Sequence, residues 1–307
     1  MTQIQKYTWL IDTIRNTGEM SYKEISDRWE RNVMYSDGNP LPRATFNRWR
    51  EDIDEIFNIR ISCRRSVGNL YYIENPEAME ADEVRKYILD SVSAGNLISE
   101  NISLKDRIII DRKPSGYNYL SDILTAMKDN RTVRLTYQSF EQEKPDSFAF
   151  EPYCVKLFEN RWYMLGRNVK LNSLLCYGLD RILDLSVEND RFKIPKSFSA
   201  EGFYDSLYGI VADKKEKPTR IVLRAYGNHA KYIDSLPLHH SQRFIRAAET
   251  YADFELFLAP SYDFIMRLLH DGALIEVLRP LSLRKAMKGW ITDMYELYEN
   301  TDIENND

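Results

Sequence analysis

The chain has 307 residues, with 42 lysines and arginines against 47 aspartates and glutamates, a net charge of −5, and 43% hydrophobic residues. This is the composition of an ordinary globular protein, which excludes wholesale disorder, and the length calls for two or three domains rather than one core. No apolar run is long enough to span a bilayer, and the start MTQIQKYTWL lacks the basic-then-apolar order of a signal peptide, so a cytoplasmic protein is expected.

Residues 4–16 place Ile4, Tyr7, Leu10, Ile11 and Ile14 at helical spacing, and Gly18 ends that helix. Ser21 and Glu24 stand in capping-box order and open a second helix that buries Ile25, Trp29 and Val33. YSDGNPLP (35–42) is turn-rich, and Pro42 suits the first turn of a third helix, RATFNRWREDIDEIF. Phe46, Trp49, Ile53 and Ile56/Phe57 share one face of it. IRISC then alternates with a two-residue period, RSVGN turns the chain and LYYI returns, which predicts a β-hairpin over 59–73.

Helix, helix, turn, helix, hairpin within residues 1–75 is the order of a winged helix-turn-helix DNA-binding domain. Its third helix enters the major groove and its hairpin is the wing. Ala44, Asn47 and Arg48 face away from the apolar stripe, and Arg43 and Arg50 flank it. Asparagine pairs bidentately with adenine and arginine with guanine, while Arg60, Arg64 and Arg65 of the wing reach phosphate. The rival reading is a small helical domain with ordinary solvated charges, since residues 1–75 hold eleven basic and eleven acidic side chains. The carboxylates Glu51, Asp52, Asp54 and Glu55 lie in the second half of the helix, beyond the end that usually enters a groove, and this favours the DNA reader.

Residues 76–131 read as a helical linker. PEAMEADEVRKYILDSV forms one helix with Pro76 in its first turn, YLSDILTAMKDN another, and Ile108–Ile110 between them a short buried run. Such helices serve either as dimer contacts or as packing against a neighbouring domain. From Thr132 the period changes to two. TVRLTYQSF, FAFEPYCVKLF, RWYMLGRN, LLCYGLDRI and LDLSVEND are evenly spaced strands, which predicts a small closed barrel over 132–195. From Pro218 the elements run β-α-β-β-α-β and end in a long helix, a ferredoxin-like split βαβ layer within 196–307. The end ENTDIENND reads as a frayed acidic tail. The fold class is therefore α+β and multidomain.

Cys63, Cys154 and Cys176 are odd in number and widely spaced, as expected of reduced, buried cysteines. His229, His239, His240 and His270 stand in no metal-ligand pattern, so neither metal nor cofactor is expected. There is no Gly-rich phosphate loop and no Ser-His or Cys-His context, which argues against an enzyme.

LTYQ (135–138), EPYCV (151–155), RWYMLGRN (161–168) and LDRI (179–182) together carry a family resemblance. The chain resembles the WYL-domain transcriptional regulators of bacteria, whose Trp-Tyr-Leu run stands here as Trp162-Tyr163-Met164. The winged head, the WYL domain and the C-terminal extension follow in the family's order. The resemblance implies a Sm-like, SH3-type barrel that acts as a regulatory ligand-binding module, and in several relatives the ligand is a nucleic acid, including single-stranded DNA. By matched position the ligand residues are Tyr137, Tyr163, Asp180 and Arg181, with Asp180 orienting an arginine. Arg167 joins them on geometry, two pleats beyond Tyr163 on the same strand face. Trp162 and Met164 turn to the other face as core. Leu175 and Gly178 stand where many relatives are basic, which lowers the charge available for phosphate and leaves the ligand open. The expected partners are operator DNA, a single-stranded nucleic acid or nucleotide, and a second copy of the chain. The function expected is a ligand-responsive transcriptional regulator. The alternative is a single-strand-binding accessory protein whose head is an interaction platform.

Overall fold

The computed structural model describes residues 2–109, 116–212 and 216–299, apart from the side chains of Met34, Val67 and Lys105. The chain divides into two compact units, residues 1–111 and 112–307.

In the first unit α1 (Gln3–Thr17) opens on a Thr2/Gln5 capping box and closes at Gly18, whose φ of 86° lets its N–H return to the Ile14 carbonyl. After β1 (Met20–Ser21), α2 (Tyr22–Arg31) starts on the Ser21/Glu24 capping box. It stops at Asn32, and a one-turn helix, α3 (Val33–Ser36), follows across the expected end of the second helix and start of the loop. Val33 is thereby turned outward and is 64% exposed, not buried as its spacing suggested. α4 (Arg43–Phe57) is the anticipated third helix, with Pro42 at its N-cap instead of inside its first turn. Phe46, Trp49, Ile53 and Phe57 are buried, while Ile56 points to solvent. β2 (Ile61–Arg64) and β3 (Leu70–Ile73) form the hairpin, and the sheet runs antiparallel in the order β1-β3-β2. Three interlocked indoles, Trp9, Trp29 and Trp49, meet edge to face at 5.0 and 5.1 Å above a core of Leu10, Ile14, Ile25 and Ile53.

The helix expected from Pro76 is broken. Pro76–Met79 is a single 3-10 turn, and α5 (Glu83–Glu100) begins anew because the Asp82 carboxylate accepts from the Val84 and Arg85 amides. α5 lies along α1, where the Asn96 side chain donates to the Gln5 carbonyl at 3.2 Å. The buried run expected at Ile108–Ile110 is not found: the chain passes over the surface with Ile109 93% exposed, and Ile110 lies outside the described residues.

The second unit begins with α6 (Leu120–Lys128), which buries Ile123 and Ala126 against a five-stranded antiparallel sheet. Its strands are β4 (Arg131–Tyr137), β5 (Asp146–Phe158), β6 (Arg161–Asn168), β7 (Ser173–Gly178) and β8 (Ile182–Arg191), in the order β7-β6-β5-β4-β8. The closed barrel expected from the strand spacing is not formed: among the described residues the edges β7 and β8 do not pair. Where they meet, β7 and β8 are joined by a turn and not by a ladder of hydrogen bonds. Residues 174–182 do not make one strand, because Leu179–Arg181 is a 3-10 turn that carries the chain from the β7 edge to the far side of β4.

Beyond α7 (Ala200–Tyr204) come β9 (Thr219–Tyr226), α8 (His229–Ser235), β10 (Arg243–Ala247), β11 (Tyr251–Leu258), α9 (Tyr262–His270), β12 (Ile275–Arg279) and α10 (Leu281–Glu299). The sheet order is β10-β11-β9-β12, antiparallel throughout, as in interleaved split β-α-β units. Ile233, Phe264, Leu268, Leu283 and Met287 from the three helices bury Ile221, Leu223 and Ala225 on one face of the sheet. Of the expected acidic tail, Glu299 ends α10 and residues 300–307 lie outside the described residues. No helix among them is long and apolar enough to cross a membrane.

Candidate functional site

Two sites were expected, one in each unit. In the first unit α4 and the β2–β3 hairpin enclose an open groove of about 610 Å3. Arg43, Asn47, Arg50, Arg60 and Arg65 all line it, so five of the seven residues singled out for DNA meet in one place. They are not equivalent. Arg43 lies 4.3 Å above the Tyr22 ring and donates to the Tyr71 hydroxyl, which fixes it at the groove wall. Arg50 ties α4 to β2 through its Nε, 2.8 Å from the Ile61 carbonyl. Its position between helix and hairpin is structural as well as electrostatic. Arg60 faces Glu74 at 3.9 Å, a loose exposed pair.

The two remaining residues lie outside the groove lining. Arg64 is paired with Glu19 and covers the Tyr72 ring at 4.7 Å, so its charge is largely committed inside the protein. Arg48 is exposed on the outer face of α4. Glu51 and Asp54, expected to lie beyond the end of the helix that faces the groove, line it as well and restrict how phosphate can approach. Both belong to the carboxylate run seen in the sequence, but their spacing alone did not place them on this wall.

In the second unit the expected ligand residues separate by strand parity. Tyr137 pairs with Ile182 and faces the core, packing edge to face on Tyr177 at 4.8 Å. Tyr163 and Arg167 share the opposite face of β6, because their neighbours Met164 and Trp162 pack into the core. The Asp180–Arg181 turn stands at the strand end between these faces. The Arg181 guanidinium lies 5.6 Å from the centre of the Tyr137 ring and 5.2 Å from that of the exposed Phe140.

Asp180 receives Arg161 at 3.4 Å and stands 3.9 Å from the Arg181 Nε, too far for a hydrogen bond to the latter. Asp180 Oδ1 and Arg181 Nε are consequently buried without a hydrogen-bond partner, as is the Trp162 Nε1. Buried polar atoms of this kind cost stability unless something satisfies them. Burial pushes the Tyr137 hydroxyl up to about 12 against the pull of the Arg181 charge. Burial likewise raises Tyr163, opposed by Arg161 and Arg181. Both phenols therefore stay protonated at neutral pH and can donate hydrogen bonds.

Gly178 supplies the room for this turn. A Cβ there would come within 2.7 Å of Arg181 Nη2 and Asp180 Oδ1. The glycine found where relatives are often basic thus lets two side chains close over it. Arg167 is not part of the constellation. Its guanidinium grips the buried Glu151 carboxylate with both arms, Nε to Oε2 at 2.8 Å, and also donates to Asn172. Arg161 and Phe140 were missed. Arg161 was recoverable, since it lies one pleat from Tyr163 on the same face. Leu175 is half-buried on β7, opposite Gly166.

The three cysteines are half-buried and unbridged, more open than expected. Burial raises the Cys154 and Cys176 thiols to about 11, which makes them poor nucleophiles at neutral pH. Among the described residues no three His, Cys, Asp or Glu side chains cluster so as to hold a metal.

Comparison with known proteins adds one assignment. Residues 118–187 match the model of the WYL domain, so the chain contains a WYL domain, and the Asp180–Arg181 turn lies inside the matched segment. No curated protein matches the chain. Among solved structures it is similar to proteasome accessory factor B/C (PafBC) of Arthrobacter aurescens, at 17% identity and a TM-score of 0.28 over 70% of this chain and 33% of that one. It is also similar to a CRISPR Cas-related protein, at 12% identity and a TM-score of 0.37 over 86% of this chain and 66% of that one. The chain thus spans a third of the length of the first and just under two thirds of the second.

Proposed function

We propose that this protein is a DNA-binding transcriptional regulator whose WYL domain senses an anionic ligand. The N-terminal unit is read as a winged helix-turn-helix, with α4 as the recognition helix and the β2–β3 hairpin as the wing. The five-stranded sheet is read as the Sm-like element and the last sheet as a ferredoxin-like extension. The observation that carries the reading is the groove between α4 and the hairpin. It gathers four arginines and Asn47 in one place, within residues 1–75, whose basic and acidic side chains are equal in number. Asn47 and Arg48 address base edges, while Arg60 and Arg65 address phosphate.

The WYL domain contributes Arg181, stacked toward Tyr137 and Phe140, with Asp180 and Arg161 orienting the charge. An anionic group at Arg181 would give its buried Nε a partner. For such a ligand to regulate, it must favour one arrangement of the DNA-binding units over another. A homodimer in the cytoplasm, reading a two-fold operator, completes the proposal, and no catalytic role is assigned. A salt-dependent band shift with DNA upstream of the coding region tests it. The wild type should bind, and an Arg43→Ala/Arg48→Ala variant should lose most of that binding; equal and weak binding by both would defeat the reading.

The second reading is a single-strand-binding accessory protein, favoured by the buried, unpartnered Asp180 and Arg181 atoms. Tight oligonucleotide binding that Arg181→Ala abolishes, with no duplex binding by the intact chain, would select it.

A further inference from the structure

The sheet of the C-terminal layer has a second face that the regulator reading does not use. Strand parity defines it: Ile221, Leu223 and Ala225 are buried by the helices, so Arg220, Val222, Arg224 and Tyr226 point the other way. Register carries the face across the sheet. Arg246, Asp253, Arg224 and Glu276 form one row, and Arg243, Glu255, Val222 and Arg279 the next. Tyr226 and Tyr251 pair at one end, Arg220 and Phe257 at the other.

Three features of this face point to one occupant. All five of its cations are arginines, against three carboxylates, in a chain whose net charge is −5. Arginine is the side chain suited to forked contacts with phosphate and to stacking on flat rings. Next, Asp253 is buried and clamps two of the arginines, Arg224 at 2.8 Å and Arg246 at 2.7 Å. This holds the Arg224 guanidinium 3.7 Å above the Tyr251 ring, a rigid stacked platform on a central strand. Finally, Phe257 is 55% exposed at the opposite end of the same strand as Tyr251, a second flat surface turned to solvent.

We propose that this face binds single-stranded nucleic acid, with bases stacked on the Arg224–Tyr251 platform and on Phe257, and phosphates held by Arg243, Arg279 and Arg220. An open four-stranded sheet that offers aromatic rings from its central strands is a physical solution for splayed, unpaired bases. Duplex DNA, whose bases are stacked on each other, gains nothing from such a platform. The surface is distinct from the Asp180–Arg181 turn, and the proposal stands whether or not that turn binds a ligand.

The test uses the full-length chain in an Arg181→Ala background, which sets the WYL turn aside. Anisotropy of a fluorescein-labelled deoxythymidine oligomer, and of its uridine counterpart, is followed at low and moderate salt. The background protein should bind at least one of the two, and the ratio of affinities names the preferred sugar. Arg243→Glu/Arg279→Glu should weaken binding at least about tenfold and lower the salt slope by about 1.4, two single-strand phosphate contacts. Phe257→Ala should weaken it about tenfold, the loss of one stacked base. Arg243→Lys/Arg279→Lys should retain most of the salt slope, and it carries the test with Phe257→Ala if the charge reversal fails to fold. Loss of all oligomer binding on Arg181→Ala alone would overturn the proposal. So would indifference to the sheet substitutions, or displacement of the oligomer by polyglutamate as readily as by unlabelled oligomer, the mark of a site for acidic peptides. Duplex binding, read separately through Arg48, leaves the regulator proposal to be judged by itself.

Discussion

Arg167→Ala tests whether Arg167 serves the ligand site or the fold of the WYL domain. Arg167 holds a carboxylate, Glu151, whose side chain is only 8% exposed, while Arg167 itself is 40% exposed. Removing one partner of a fully buried pair costs about 3–5 kcal/mol, because the remaining charge is stranded. Solvent at the guanidinium, and the Tyr153 hydroxyl 3.3 Å from Glu151 Oε2, reduce that here to about 2 kcal/mol. For a unit of this size each kcal/mol shifts the melting point by about 2–4 °C, so a fall of about 4–8 °C is expected. Thermal unfolding followed by circular dichroism measures it, and Glu151→Gln/Arg167→Ala should regain more than half, since no charge is then left buried. Binding of an anionic ligand per folded molecule should be unchanged in Arg167→Ala and lost in Arg181→Ala. An Arg167→Ala protein that melts like the wild type yet loses its ligand would refute the reasoning and return Arg167 to the binding site.

Other consequences are open to measurement. Gly166→Ala places a Cβ 2.0 Å from the Glu151 carbonyl oxygen, a backbone clash, and should prevent stable folding of the sheet. Gly178→Ala meets only side-chain tips; it should fold with a loss of about 1 kcal/mol while displacing Arg181 and weakening ligand binding. Arg50→Ala removes a charged donor from the Ile61 carbonyl and should cost about 1.5–3 kcal/mol in unfolding experiments, with Arg50→Lys a poor rescue because lysine has no fork. The Arg224 hydrogen bond, helped by Arg246, holds the Asp253 carboxyl below the usual carboxylate range. The folded chain therefore takes up this proton less readily than the unfolded chain. The stabilisation is complete above the ordinary carboxylate pKa of about 4 and drains away as pH falls through the depressed value. Asp253→Asn should flatten that acid limb of a melting-temperature profile.

The element order of the chain was largely legible because local signals agreed with packing. The Ser21/Glu24 capping box, the Phe46/Trp49/Ile53 stripe and the two-residue alternation from Thr132 each name an element without tertiary help. What escaped was set by contacts between distant residues. A strand pattern across LLCYGLDRI could not reveal that Asp180 and Arg181 fold back over Gly178, which breaks the strand. Five of the seven proposed DNA residues met in one groove because helix and hairpin are each local. The ligand residues scattered because Tyr137 and Tyr163 come from strands whose relative faces depend on register, and the bulge on β5 between Pro152 and Cys154 is invisible in the letters. Arg167 misled for a related reason: its partner Glu151 lies across the β5–β6 ladder, sixteen positions away.

The central claim is that the N-terminal unit reads duplex DNA through α4 and its hairpin. Its most direct test is the salt dependence of binding to DNA upstream of the coding region, for the wild type and for Arg60→Ala/Arg65→Ala. Loss of two duplex phosphate contacts should lower the slope of log K against log salt by about 1.8, with weaker binding at every salt. Identical slopes and affinities for the two proteins would contradict the claim.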